Sequence, residues 1–133
     1  MIREMLLAGY ETLNRTGKLD TTVLDPQIEW RPPPHAPTAG VYRGLDEAAD
    51  ELMTWSEPFD EFRWEPKEIL DAGVRGGEWR WMVGGRMSGQ GKTSGVETAI
   101  DEFHVWTLRG GRAVRMEMYL DRDEAVRAAG LAR

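Results

Sequence analysis

The chain of 133 residues contains no cysteine. Disulfide scaffolds, thiol catalysis and cysteine-rich metal sites are therefore excluded. Histidine is also scarce, with two residues, and the sequence shows no paired-histidine spacing and no dinucleotide-binding loop. We therefore expect neither a metal ion nor an organic cofactor.

Long apolar runs and an excess of positive charge are missing as well. No stretch approaches the roughly 18 apolar residues of a membrane-spanning helix, and the N-terminus lacks the features of a secretion signal. The 17 basic residues are outnumbered by 23 acidic ones, which gives a net charge of −6. Such a chain lacks the basic surface of a general binder of nucleic acids or anionic membranes. We expect a cytoplasmic protein with neither kind of partner.

The residues that are present describe one soluble, folded domain spanning residues 1–133. Hydrophobic residues make up 41% of the chain, and six of its twelve aromatic residues are tryptophan. Large rigid side chains in this proportion suit a roomy apolar interior, although tight core packing uses them too.

Periodic apolar residues predict the order of helices and strands. Helices are expected at 2–17, 19–24, 45–57 and 121–130, and strands near 28–30, 62–70, 79–83, 96–108 and 114–120. The segment 85–93 has the glycines of a phosphate-binding loop but the wrong spacing, so it is expected to be a flexible hairpin connection. The predicted fold class is α+β, with antiparallel strands and helices on one side of the sheet.

Several short strings occur in an order that resembles a known family. They lie at 10–20, at Asp25-Pro26 with Glu29-Trp30, at 42–44 and at 104–114. Together they resemble the SnoaL-like branch of the nuclear transport factor two-like superfamily, over nearly the whole chain. The resemblance implies a cone, in which a curved sheet wraps a long N-terminal helix and leaves a pocket at the wide end.

Members of that family include polyketide cyclases, ketosteroid isomerases, epoxide hydrolases and proteins without a known reaction. The resemblance places the catalytic aspartate of the cyclases and epoxide hydrolases at Met118. It places the tyrosine of the isomerases at Gly9, one residue before Tyr10. The fold by itself therefore does not select a reaction.

Glu102 and His104 are the candidate catalytic residues. They alternate with outward-facing residues on one predicted strand, which would place their Cβ atoms about 6–7 Å apart on the pocket wall. A carboxylate beside a histidine in an apolar cavity can act as an acid–base pair. In the alternative interpretation, His104 is a hydrogen-bonded core residue and Glu102 pairs with an arginine such as Arg86 or Arg80.

Six further residues are predicted to bind a ligand, with plain core packing as the alternative for the apolar ones. They are Trp30, Met53, Trp55, Arg86, Met116 and Met118. The charged runs at 46–51 and 122–124 are expected to be solvated helix faces, and His35 is expected to be exposed in a proline-rich loop.

The sequence thus predicts a pocket for a small hydrophobic molecule of polyketide, steroid or terpenoid type. One hypothesis is a cofactor-free isomerase or cyclase that works by proton transfer, and the alternative is a non-catalytic binding or interaction module. An apolar patch on the outer face of the sheet, at Ala99, Phe103, Val105 and Tyr119, predicts a homodimer.

Overall fold

A computed structural model describes residues 1–131, in which three α-helices accompany six strands. The helices are α1 (Ile2–Thr16), α2 (Leu45–Ser56) and α3 (Arg122–Ala129), and a 3₁₀ turn spans Thr21–Val23. The strands are β1 (Leu24–Arg31), β2 (Tyr42–Arg43), β3 (Phe59–Arg75), β4 (Glu78–Gly91), β5 (Glu97–Arg109) and β6 (Arg112–Tyr119). The predicted α+β cone is confirmed. Within the described residues, no helix is long and apolar enough to cross a membrane.

The strands form one curved sheet in the order β2-β1-β6-β5-β4-β3. The expectation of a wholly antiparallel sheet needs one correction, because β1 runs parallel to β6. The chain leaves β1 and returns to its neighbour β6 only after α2 and four further strands, a long connection of the kind that a parallel pair requires. The two-residue strand β2 is too short for its sequence pattern to have predicted it.

The segment 85–91 is the second half of β4 and not a flexible connection, which corrects the sequence-based expectation. Glycine-rich sequence is a weak strand former by itself. Here the missing side chains make room for aromatic rings of the neighbouring strand β3. A Cβ at Gly85 would lie 2.5 Å from Cη2 of Trp64, and one at Gly89 would lie 2.8 Å from Cβ of Phe59. Tertiary packing therefore overrides local preference in this strand.

The sheet buries apolar residues on both faces. The main core lies between the inner face, α1 and α2, whereas α3 covers Met82 and Val105 on the outer face with Ala125 and Ala129. Phe103 and Tyr119 pack against this second cluster. The patch that suggested a homodimer is thus partly covered by the chain's own C-terminal helix, and the dimer stays a prediction.

The inner face of β6 differs from the alternation that the sequence predicts. Met116 and Met118 are buried as expected, but Leu120 is 57% exposed and Ala113 is buried in place of Val114. A register shift in the pairing of β5 with β6 accounts for the change at Val114.

On the outer face, three arginines surround the carboxylate of Glu29. Their guanidinium groups lie 2.9 Å (Arg43), 2.8 Å (Arg31) and 3.4 Å (Arg115) from its oxygens. The Arg43 guanidinium, opposed by partial desolvation and assisted by Arg31 and Arg115, lowers the pKa of Glu29 to about 2. This cluster ties β1 to both of its neighbours in the sheet.

The Glu29 cluster makes stability depend on pH. A carboxyl with a lowered folded-state pKa stabilises the fold above its unfolded-state pKa, and this contribution is lost as the pH falls from about 4.5 towards 2. Because Glu29 is partly solvated, we expect Glu29→Gln to cost about 1 kcal/mol at pH 7. Urea unfolding at pH 7 and near pH 2 measures both values, and the difference between the proteins should vanish at the lower pH. A cost that is equal at both pH values would show that Glu29 does not act through its charge.

Candidate functional site

An apolar cavity of about 70 Å³ lies between α1, α2 and the inner face of the sheet. The helix α1 presents Leu6, Tyr10 and Leu13 to it, because residues four and three apart lie on one helix face. Its lining combines half-buried side chains, including Leu19 and Phe62, with fully buried ones. The helix that the sequence predicts most clearly therefore supplies one wall of the site.

Tyr10 and His104 stack side by side on the ring of Trp64. Their ring centroids lie 4.4 Å and 4.3 Å from that of Trp64, with interplanar angles of 19° and 22°. The centroids of Tyr10 and His104 are 5.7 Å apart, which places both on the same face of the indole. Trp64 thus fixes the plane of the imidazole.

A one-way chain of hydrogen bonds runs through these rings. The Trp106 indole N–H can only donate, and it donates to the Tyr10 oxygen at 2.8 Å. Burial raises the pKa of the Tyr10 phenol well above its ordinary value, with Trp106 opposing and Glu102 adding to the effect, so the hydroxyl keeps its proton. That proton is donated to Nδ1 of His104 at 2.7 Å.

The tautomer of His104 follows from this chain of hydrogen bonds. Since Nδ1 accepts from Tyr10, the proton of a neutral imidazole resides on Nε2. Nε2 lies 3.2 Å from Oε1 of Glu102 and donates to it. Trp64 donates to the same oxygen at 2.9 Å. Both side-chain hydrogen bonds of Glu102 within residues 1–131 therefore fall on Oε1, and neither involves Oε2. Glu102 also lines the cavity.

A second buried carboxylate, that of Glu51, borders the same cavity. Its Oε1 accepts a hydrogen bond from Trp30 at 2.7 Å, and its Oε2 accepts from Trp55 at 2.6 Å and from Thr38 at 3.0 Å. The prediction that residues 46–51 form a solvated face is therefore wrong at Glu51, which is 3% exposed.

Five of the eight residues predicted for the site lie on the cavity wall: Glu102, His104, Trp30, Trp55 and Met118. Neither interpretation of His104 excludes the other, because this residue is both hydrogen-bonded in the core and on the wall. The suggested partner of Glu102 is wrong, since indole and imidazole donors bind it in place of an arginine.

The other three predicted residues lie elsewhere. Arg86 is one residue away from the inward-facing Gly85, so it points outward and pairs with Asp101 at 3.0 Å. Met53 is 43% exposed on the outer side of α2, because the helix turns Glu51 and Leu52 inward. Met116 is fully buried in the core beside the cavity and does not line it.

Sequence reasoning missed Tyr10, Trp64 and Glu51 as site residues. Tyr10 is four positions after Leu6 and three before Leu13, and this helical spacing could have placed it inward. Glu51 lies three residues after Ala48 and four before Trp55, on the apolar face of α2. No pattern in β3 distinguishes Trp64 from its neighbour Phe62.

A family model for the SnoaL-like domain matches residues 9–116 of this chain. The chain belongs to the SnoaL-like family. No curated protein sequence matches it.

Among the residues that the structure describes, no group of three or more histidine, aspartate or glutamate side chains is placed to hold a metal ion.

Solved structures share the SnoaL-like fold of this chain. The structure of TerC co-crystallised with polyporic acid is 23% identical, with a TM-score of 0.69 and 96% of each chain covered. A protein provisionally assigned as a SnoaL-like polyketide cyclase from Jannaschia sp. CCS1 is 17% identical, with a TM-score of 0.70 and coverage of 98% of this chain and 91% of that one.

A protein with a ketosteroid isomerase-like fold from Catenulispora acidiphila DSM 44928, in complex with trimethylamine, is 11% identical. Its TM-score is 0.64, and the match covers 95% of this chain and 92% of that one. At these identities, the likeness of all three structures concerns the fold. This SnoaL-like chain is thus related in fold to polyketide cyclases and ketosteroid isomerases.

Proposed function

We propose that the chain is a cofactor-free proton-transfer enzyme for a small molecule with a mostly hydrocarbon surface. The observation that carries the proposal is the geometry of Glu102. Oε1 is held by two N–H donors, while Oε2 has no hydrogen-bond partner among residues 1–131, and the side chain lines an apolar cavity. A carboxylate held in this way has one oxygen fixed and the other available as a general base.

In the proposed reaction, Oε2 of Glu102 removes a proton from a carbon that is acidified by a neighbouring group of the ligand. The same carboxyl returns the proton to another carbon of that ligand, so an isomerisation needs no co-reactant. His104 positions Glu102 through its Nε2–H, and Tyr10 and Trp106 fix the tautomer of His104. The apolar walls keep water away and strengthen these electrostatic interactions.

The size of the cavity supports a compact ligand. Pockets that bury drug-sized molecules measure roughly 300–1,000 Å³, well above the present 70 Å³. The similar structures that hold polyporic acid and trimethylamine differ widely in the size and charge of their ligands, so fold alone selects neither. We therefore propose a molecule smaller than the polyketides, steroids and terpenoids that the sequence suggested.

Hydrogen–deuterium exchange of a small ketone tests the proposed chemistry. We expect the protein to accelerate exchange at the α-carbon of cyclopentanone in D₂O, followed by ¹H NMR, and Glu102→Gln to lower this rate at least about 100-fold. Glutamine preserves an oxygen acceptor for Trp64 and His104 while removing the base. Glu97→Gln, at an exposed position of the same strand, is the matched control. It should accelerate the exchange of cyclopentanone as much as the natural protein does.

The alternative function is binding without turnover. It is favoured by Met118, which lies on the cavity wall and brings no titratable group. The family resemblance implies that this is the position of the usual catalytic aspartate. Quenching of tryptophan fluorescence by cyclopentanone, with equal exchange rates for the natural protein and Glu102→Gln, would favour this alternative over the enzyme.

A further inference from the structure

We infer that the cavity receives a small organic cation, such as a methylated ammonium group. This inference deepens the proposed function and rests on it for the role of the cavity as a ligand site. It names the charge and chemical class of the occupant. Two features carry it, the acidic side chains of the cavity lining, which face no Lys or Arg within residues 1–131, and the aromatic rings beside them.

The cavity lining contains three acidic side chains and, within residues 1–131, no Lys or Arg. Glu51 and Glu102 are 3% and 8% exposed, and Asp20 lies at the margin. Among residues 1–131, no lysine or arginine lines the cavity or forms an ion pair with either glutamate. Indole, hydroxyl and imidazole groups hold both carboxyl groups, and none of these donors belongs to a lysine or arginine.

Burying a carboxylate away from cations is costly, and a cation in the cavity would lower that cost. The unpaired Oε2 of Glu102 is a contact point for such a charge. The two carboxylates belong to different elements, α2 and β5, so an occupant of the shared cavity can interact with both. The net charge of −6 on the whole chain would also attract cations from solution.

Aromatic side chains stand among the aliphatic ones that line the rest of the cavity. Trp30 and Trp106 both line it and pack edge to face, at 75° with centroids 6.2 Å apart. Trp55 and Phe62 line the same space. The electron-rich faces of aromatic rings attract ammonium groups, and tryptophan does so most strongly. Carboxyl groups beside aromatic rings suit a compact cation whose outer surface is hydrocarbon, such as a methylated ammonium group.

Choline and 3,3-dimethylbutan-1-ol test the inference, because they have the same shape and differ in charge. We expect choline to bind about tenfold more tightly than the alcohol at constant ionic strength. Titration calorimetry and quenching of tryptophan fluorescence measure both affinities. Glu102→Gln should reduce the preference for choline at least about fivefold, while the exposed Glu97→Gln variant should preserve it.

The inference is overturned if the alcohol binds as tightly as choline, if neither compound binds at millimolar concentration, or if Glu102→Gln leaves the preference intact. These results are separate from the test of the proposed function. Rapid exchange of cyclopentanone without a preference for choline would overturn the inference of a cationic ligand and support the proposed proton transfer. A preference for choline without any exchange of cyclopentanone would support the cationic ligand and overturn the proton transfer.

Discussion

Replacing His104 with alanine should lower the free energy of unfolding by about 3–5 kcal/mol. The change leaves the Tyr10 hydroxyl without its acceptor and removes one of the two donors to Glu102. Each unsatisfied buried group costs about 1–3 kcal/mol, and the loss of the imidazole stacked on Trp64 leaves a void that adds to this cost. The melting temperature should fall by roughly 10 °C or more.

The chain supplies its own control for this experiment. His35 is the other histidine and is exposed in the proline-rich loop, so His35→Ala should leave stability nearly unchanged. Thermal unfolding measures both variants, and cyclopentanone exchange below the melting temperature measures function. A loss of stability below about 1 kcal/mol would contradict the hydrogen-bond chain. A large loss with unchanged exchange would contradict the positioning role of His104.

Replacing Gly85 with alanine should cost about 2–3 kcal/mol, although it adds only a methyl group. The new Cβ would clash with the backbone carbonyl of Glu65 and lie 2.5 Å from Cη2 of Trp64. The carbonyl of a paired strand cannot rotate away, so β3 must shift at Glu65, and the ring of Trp64 must move with it. Its indole N–H would then withdraw from Glu102, and exchange activity should fall together with stability.

Gly9→Ala is the matched comparison. Gly9 lies within α1, and an added Cβ has no heavy atom of the described residues within 4 Å. Alanine in a helix is more favourable than glycine, so this variant should gain up to about 1 kcal/mol. Urea unfolding of the two variants should therefore give changes of opposite sign. Equal stability of Gly85→Ala and the natural protein would show that Trp64 does not depend on Gly85.

The sequence predicted the residues of the site best where a regular period applied. Alternation on β5 placed Glu102 and His104 together, because successive side chains of a strand point to opposite faces. The same rule would have placed Arg86 outward, had the segment 85–91 been identified as a strand. The helical period by itself did not predict that Met53 points outward. The apolar residues of α2 cover a wider arc of the helix than the arc that packs against the core.

The sequence by itself determined the α+β class, the long first helix, the family and the inward face of β5. Each of these depends on local periodicity or on short strings that need no knowledge of distant contacts. Only the tertiary structure decided that Glu51 is buried, that Tyr10 bonds to His104 across 94 positions and that glycine-rich residues 85–91 form a strand. The physical reason is common to all three. Each depends on residues that meet only after the chain has folded. Glu51 accepts hydrogen bonds from Trp30 and Trp55, and Tyr10 bonds to His104 and Trp106. Gly85 leaves room for the ring of Trp64.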